Sequence, residues 1–368
     1  MTKKIGVLTG GGDCPGLNAA IRAVMKSGIR QGWDVVGIRG GFEGLLAPGD
    51  AKPLTYENTS GILTMGGTIL GSANRGHFSA KAGAGEKRGV PAELIKEAQD
   101  TMRSLGITAL IVIGGDGTLS IAQQFYEAGT PVVGIPKTID NDLQATVVTF
   151  GFDSAVACAT DALDRLHTTA ESHNRIIVLE VMGRWAGWIA VHAGIAGGGD
   201  IILIPEIPFS YDAIVQQIDR RERMGRRFTL VVVAEGAREK GAGYVAKESG
   251  SPDREMRLGG IGERVAGEIQ RRTGKETRTV VLGHLQRGGG PTTFDRLLAT
   301  RYGAFAVQMV IEGNFGKMAA LAPPDVVAVP ITEAIGRIRT VPPDGNVVRT
   351  ARALGISLGA PEEVEGGA

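Results

Sequence analysis

Cysteine is nearly missing from this chain. Two residues, Cys14 and Cys158, stand in 368. They share no metal-ligand spacing and form no disulfide framework, which excludes a stapled secreted scaffold or a zinc module and suits a reducing setting. Net charge is also missing. The 40 Lys and Arg against 39 Asp and Glu leave +1, and the basic residues are scattered, so no nucleic-acid partner is expected. No run of about 18 or more apolar residues occurs, and Ile5–Thr9 reads as a strand with no signal-peptide pattern before it. Neither a membrane span nor export is expected, and the expected location is cytoplasmic.

Glycine is in excess. The 56 glycines are roughly twice the usual share. They fall in short clusters between apolar runs, without a repeat, so collagen-like and low-complexity readings fail. Loops that approach a ligand closely explain them better. The length exceeds one ordinary core and suits two α/β lobes.

Apolar β-type runs alternate with segments of helical period along the chain. Strands are expected at Ile5–Thr9, Val35–Ile38, Ala109–Ile113, Val132–Ile135, Ile176–Val181, Ile201–Ile204, Phe228–Ala234 and Thr279–Leu282. Helices are expected after Pro15, and at Ala92–Leu105, Ser120–Ala128, Asp153–Thr169, Trp185–Ala196, Tyr211–Arg223, Gly262–Arg272 and Thr293–Glu312. Residues 77–91 and 237–260 read as surface insertions or loops. The tail past Pro342 shows little periodicity until Ala351–Leu354, and its end, 362–368, reads as frayed. Such alternation argues for parallel sheets wrapped by helices, in two units.

The stretch 111–142 organises the rest. It reads as a βαβ unit whose two loops lie at strand carboxyl ends, where ligands bind in open α/β sheets. The first, Gly114-Gly115-Asp116-Gly117-Thr118, offers bare backbone for phosphate and a carboxylate for a metal. The second, Lys137-Thr138-Ile139-Asp140-Asn141-Asp142, adds two carboxylates and a lysine. The triglycine turn Gly10–Gly12, leading through Pro15 into a helix, is a further anion site. In the second half the polar residues assigned to strand ends are Arg175, Met182-Gly183-Arg184, Glu235, Arg278, His284 and Arg287. Singly, each has an ordinary structural explanation: a solvated arginine, a satisfied histidine, Asp142 as a helix cap, Trp185 and Trp188 as packing. Their recurrence at strand ends points to phosphoryl transfer, which needs carboxylates for Mg2+ and the hydroxyl proton, and arginines for phosphate.

The sequence resembles the 6-phosphofructokinase family. The matching stretches are LTGGGDCPGLNAAIR (8–22), GGDGT (114–118), PKTIDND (136–142), ESHNRIIVLEVMGRWAG (171–187), VAEGA (233–237) and TVVLGHLQRGG (279–289). They lie in order and cover about residues 4–312, and the likeness is strongest to the subgroup that holds both ATP and pyrophosphate users. The resemblance implies two Rossmann-like αβα lobes with mainly parallel sheets and an active site in the cleft between them. It divides them into a donor lobe, 1–150 plus about 287–335, and a sugar-phosphate lobe, 151–286 plus about 336–368. It implies that Asp140 is the general base and that Arg184, with Thr138, stabilises the moving phosphoryl group. Asp116 holds Mg2+, while Gly11, Gly12, Arg75, Gly115, Gly117 and Thr118 contact the donor. Arg175, Arg278, His284 and Arg287 bind the sugar phosphate, with Glu235 on the hydroxyls and Thr138, Ile139, Met182, Gly183, Leu285 and Gln286 lining the substrate. The family draws the arginines matching Arg175 and Arg278 from a neighbouring subunit, which implies a homodimer or homotetramer with shared sites.

Two positions bear on the donor. Pyrophosphate users of the family carry Asp at the position of Gly117, where a carboxylate crowds the α-phosphate of ATP. They carry Lys at the position of Lys137, where most bacterial ATP users have Gly. Gly117 therefore favours ATP and Lys137 favours pyrophosphate, and the steric argument weighs more. The expected activity is ATP-dependent phosphorylation of fructose 6-phosphate. The alternatives are the reversible pyrophosphate-dependent reaction and, further off, a silent sugar-phosphate or nucleotide sensor.

Overall fold

The computed structural model describes residues 3–73, 76–78, 89–248 and 257–360. The chain divides into two units, one of residues 1–154 and 287–338, the other of residues 155–286 and 339–368.

The first unit opens with β1 (Lys4–Thr9), α1 (Leu17–Arg30), β2 (Asp34–Ile38) and β3 (Ala51–Pro53). It continues with α2 (Ala92–Ser104), β4 (Ala109–Gly114), α3 (Asp116–Glu127) and β5 (Val132–Pro136). Helix α4 (Phe152–His173) starts in this unit and enters the second, which holds β6 (Ile176–Val181), α5 (Trp188–Ala196), β7 (Ile201–Leu203), α6 (Tyr211–Arg223) and β8 (Thr229–Ala234). A short antiparallel pair, β9 (Ala246–Glu248) and β10 (Arg257–Leu258), precedes α7 (Ile261–Thr273) and β11 (Thr277–Val281). The chain then returns to the first unit with α8 (Thr293–Ile311), β12 (Lys317–Ala322), β13 (Asp325–Pro330) and α9 (Ile331–Ala334), and ends in the second with α10 (Asn346–Ala353).

The first unit's sheet has the order β13-β12-β5-β4-β1-β2-β3, parallel at its centre and antiparallel at both edges. Strands β4 and β5 are buried along their whole length, as the apolar runs require of parallel strands covered on both faces. The core beneath joins Leu8, Ile38, Leu110, Val112, Phe125 and Met318. The chain builds β2 and β3 on one side of β1, then crosses to place β4 on the other. The strand order reverses between β1 and β4, and in sheets of this kind the ligand crevice opens at such a point.

The second unit repeats the device on a smaller sheet, β11-β6-β8-β7, all parallel. Strands β7 and β8 lie to one side of β6 and β11 to the other, so here the order reverses between β6 and β11. Its core gathers Val178, Leu203, Phe209, Val231 and Ile269. Ser210 caps α6 by accepting the Asp212 N–H at 3.2 Å, and α7 ends at Gly274 in the left-handed region, φ 68°. Among the described residues no helix is long and apolar enough to cross a membrane.

Several expectations change. The segment Ala237–Gly260, expected as loop or insertion, carries the short pair β9 and β10. Helix α4 runs on to His173, four residues past its expected end at Thr169, and stops where Asn174 turns left-handed, φ 51°. Pro15 stands outside α1, because Gly16 takes the capping position with φ 106° and the helix starts at Leu17. Helix α5 begins at Trp188, three residues later than its apolar pattern, with Gly187 as its cap. The hairpin β12–β13 and helix α10 complete the sheet edge and the tail. Their periodicity is short and interrupted by the pair Pro323-Pro324, so the sequence pattern alone did not show them.

Candidate active site

In the first unit three loops gather at the carboxyl ends of β1, β4 and β5. The Gly10 N–H donates to the Ile113 carbonyl at 2.9 Å, and the Lys137 N–H donates to the Gly114 carbonyl at 2.9 Å. The glycine turn is tied back through its carbonyls. Ser72 Oγ donates to the Gly11 carbonyl, Lys137 Nζ to the Gly12 carbonyl, and Arg287 Nη1 to the Asp13 carbonyl at 3.1 Å. In a planar trans peptide the N–H points opposite to the C=O. The N–H groups of Gly12, Asp13 and Cys14 therefore face away from these donors, as an anion-binding turn requires. Gly12 also lets Arg287 lie close against the turn: a Cβ there would lie 2.5 Å from Arg287 Nη1 and push the guanidinium aside.

Lys137 is 3% exposed, and burial pushes its ammonium below the usual lysine range. The same burial pushes the neighbouring Cys14 thiol up to about 12, which makes it inert. The sequence reading gave Lys137 as a cation for the donor. The structure shows its ammonium bonded to the back of the glycine turn.

The segment Gly114–Thr118 was expected as a loop before a helix at Ser120. Helix α3 instead starts at Asp116, with Gly115 as its cap. Asp116, Gly117 and Thr118 thus form its first turn, where N–H groups have no partner within the helix and the dipole favours anions. Asp116 Oδ1 accepts the Gly336 N–H at 2.7 Å. Beyond β5, Thr138 Oγ1 accepts the Asp140 N–H at 3.1 Å, and Asn141 turns left-handed at φ 51° while its side chain accepts the Thr149 N–H at 3.1 Å. This tight turn presents Asp140 and Asp142. Ile139 between them is buried in the core and has only its backbone to offer a ligand. Burial, with a smaller contribution from the Asp116 carboxylate, holds Asp142 above the usual carboxylate range. Among the described residues no group of three or more His, Cys, Asp or Glu forms a metal cage by itself. Arg75 lies outside the described residues, as does most of the expected 77–91 insertion.

In the second unit the loop 182–187 leaves β6 at the point of strand reversal. The Met182 N–H donates to Gln286 Oε1 at 2.7 Å, and the Gly236 N–H donates to the Gly183 carbonyl at 3.2 Å. A methyl at Gly236 would overlap the Arg184 carbonyl, so the loop after β8 must be bare there. The Arg184 guanidinium lies 5.0 Å from the Trp185 ring, which meets Tyr244 edge-on at 5.1 Å. Glu235 follows β8, with its N–H bonded to the Val181 carbonyl at 2.9 Å. His284 and Leu285 are exposed, whereas Gln286 is buried and faces the Met182 backbone.

Two arginines were expected at strand carboxyl ends and lie at the opposite ends. Arg175 precedes β6 and Arg278 is the second residue of β11. Both pair with Glu276, at 2.8 Å and 2.5 Å. A six-residue strand spans about 20 Å, so Arg175 stands far along β6 from Arg184. Arg287, grouped by sequence order with the second half, belongs to the first unit and packs on its glycine turn. Sequence reasoning missed Glu206 and Arg339, which contact the start of α5; Trp188, read as packing, also donates its Nε1–H to the Arg339 carbonyl. The signal for Glu206 was a carboxylate directly after the buried run Ile201–Pro205.

A family model for phosphofructokinase matches residues 4–310. An ATP-dependent 6-phosphofructokinase of Chloroflexus aurantiacus is 52% identical over 359 residues, 97% of this chain and 98% of that one. A pyrophosphate–fructose 6-phosphate 1-phosphotransferase of Amycolatopsis methanolica is 51% identical over 345 residues, 93% of this chain and 97% of that one. Among solved structures, the T-state phosphofructokinase of Pichia pastoris superimposes with a TM-score of 0.79 at 33% identity, covering 99% of this chain and 38% of that longer one. With its two strand-reversal points carrying a glycine turn, a carboxylate loop and an arginine loop, the chain belongs to the phosphofructokinase family.

Proposed function

We propose that the chain transfers the terminal phosphoryl group of ATP to the 1-hydroxyl of fructose 6-phosphate, giving fructose 1,6-bisphosphate. The observation that carries the donor choice is Gly117 in the first turn of α3. Relatives using either donor are about equally similar, so identity alone does not choose. A glycine at the second helical position leaves room for the α-phosphate beside bare N–H groups. The competing sign, Lys137, has its ammonium on the Gly12 carbonyl and acts through the turn.

In this reading the first unit binds the donor. The turn Gly11–Gly12 and the α3 start (Gly115, Gly117, Thr118) hold its phosphates, and Arg287 brings a guanidinium to the same turn. Asp140, held by Thr138, takes the proton of the 1-hydroxyl. The freed oxygen pair attacks the γ-phosphorus, the bond to the β–γ bridging oxygen breaks, and ADP leaves with that electron pair. Arg184 offsets charge on the moving phosphoryl group. The second unit binds the sugar phosphate through Glu235, His284 and the loop 182–184. Mg2+ suits the donor set. Asp142 is raised chiefly by burial and secondarily by the nearby Asp116 carboxylate, a pairing of acids that a cation would favour in the charged form, and Mg2+ takes one or two carboxylates plus substrate phosphates. Asp116 holds it in this reading, and when bound it neutralises charge on the phosphate oxygens.

The position of Arg175 and Arg278 at the amino ends of β6 and β11 supports their serving a neighbouring copy, and hence a homo-oligomer with shared sites. The test of the reaction is a coupled assay of fructose 1,6-bisphosphate formation with ATP and pyrophosphate supplied separately. Turnover with ATP is expected. Turnover with pyrophosphate alone would overturn the donor assignment and leave the pyrophosphate reaction in its place.

A further inference from the structure

Glu206 follows strand β7 and Pro205, and its carboxylate turns back onto the start of α5. The Gly187 N–H donates to it at 3.0 Å and 3.1 Å, to Oε1 and Oε2, and the Val341 N–H donates to Oε1 at 2.7 Å. A carboxylate at a helix N-terminus is an ordinary stabilising device. Here the capped residue also closes the loop that carries Arg184.

That loop is six residues long and is held at both ends by side chains. Gln286 takes the N–H of its first residue, Met182, and Glu206 takes the N–H of its last, Gly187. Between them Gly236 grips the Gly183 carbonyl and packs against that of Arg184. Gly187 is suited to the contact, because a Cβ there would lie 3.0 Å from Glu206 Oε2 and closer still to Ile204. The other end of the Glu206 contact is the crossing segment 339–341. It is fastened to the same helix start by Trp188 Nε1, which donates to the Arg339 carbonyl at 2.9 Å, and by the Arg339 guanidinium, 4.7 Å from the Trp188 ring. Loop and crossing segment thus share one carboxylate.

We propose that Glu206 is a positioning residue for the phosphoryl transfer: it sets the Arg184 loop by binding Gly187 and anchors that loop to the chain's final segment at Val341. The proposal rests on Arg184 acting in the reaction as read above. A small displacement of a group that meets the transition state can cost about 100-fold in rate. Glu206→Ala is therefore expected to lower kcat about 10- to 100-fold, while KM for fructose 6-phosphate moves less than about threefold. Glu206→Gln keeps an acceptor at Oε1 and should recover most of the loss.

The experiment measures fructose 1,6-bisphosphate formation for Glu206→Ala, Glu206→Gln, Arg184→Ala and the double variant Glu206→Ala with Arg184→Ala, each as the full chain with its Tm recorded. If Glu206 acts through Arg184, its loss should change kcat less than about twofold once Arg184 is gone. The same fractional loss in both backgrounds would overturn the positioning role and leave a general structural one. Normal kcat in Glu206→Ala, with a large loss in Arg184→Ala, would also overturn it while leaving the reading of Arg184 intact. Normal kcat in Arg184→Ala would instead remove that arginine from the reaction, and the positioning role with it.

Discussion

At the scale of single residues, the proposed chemistry rests on carboxylates and bare backbone at strand ends. Asp140 is presented by a turn closed through Thr138 and a left-handed Asn141. Its replacement by Asn preserves the shape and removes the proposed base, so Asp140→Asn should lower kcat by roughly 100-fold or more; near-normal kcat would take Asp140 out of that role. Gly117 lies one residue inside α3, where, on the proposed reading, a carboxylate would face the donor's phosphate. Gly117→Asp should therefore raise KM for ATP far more than KM for fructose 6-phosphate, and equal losses would show that the position does not select the donor. Lys137 shows how far a residue's identity and its use can part. A lysine in a phosphate loop suggests a phosphate ligand, yet its ammonium bonds the Gly12 carbonyl beside a buried thiol.

At the scale of elements, the starts of helices α4 and α8 are joined by one buried acid. Asp295 Oδ2 accepts both the N–H and the hydroxyl of Ser154 at 2.7 Å, while its own N–H donates to Thr292 Oγ1 at 3.3 Å. Burial pushes its carboxyl up to about 6 against these bonds. A carboxyl raised in the fold is disfavoured as the anion. Its contribution to stability is complete below the unfolded value near pH 4 and is lost as pH rises through about 6, a change of up to about 3 kcal/mol. Asp295→Asn removes that titration. Relative to the parent chain, the variant should gain stability between pH 4.5 and 7.5, read from urea midpoints at each pH. A difference that stays constant with pH would mean the carboxyl is not raised. Helix α3 makes a related point about boundaries. Its apolar stripe begins late, but Gly115 caps it early, and that shift turns Asp116–Thr118 from loop into an anion-binding helix start.

At the scale of the whole molecule, each unit places its candidate-site loops where its strand order reverses. Arg175 and Arg278 lie away from those loops, at the other end of β6 and β11. If they serve a neighbouring copy, two variants that are each crippled should complement one another. Asp140→Asn and Arg278→Ala chains, unfolded and refolded together, should regain about one quarter of the parent rate for a symmetric dimer assembling at random. A mixture no more active than its components would assign Arg278 to its own chain.

The alternation of buried runs and helical periods determined the α/β class and the place of most strands, because burial on both faces leaves an unmistakable apolar record. The glycine and carboxylate clusters after those runs marked the candidate site, since only special backbone and paired acids explain them. Strand order was decided by the tertiary structure, because pairing depends on which edge a crossover reaches. So were the ends at which Arg175 and Arg278 lie, and the partners of Lys137, Gln286 and Glu206. Gly12 for Lys137, Met182 for Gln286 and Val341 for Glu206 are 104 to 135 residues away in the chain, a separation at which local pattern carries no information and only packing brings the groups together.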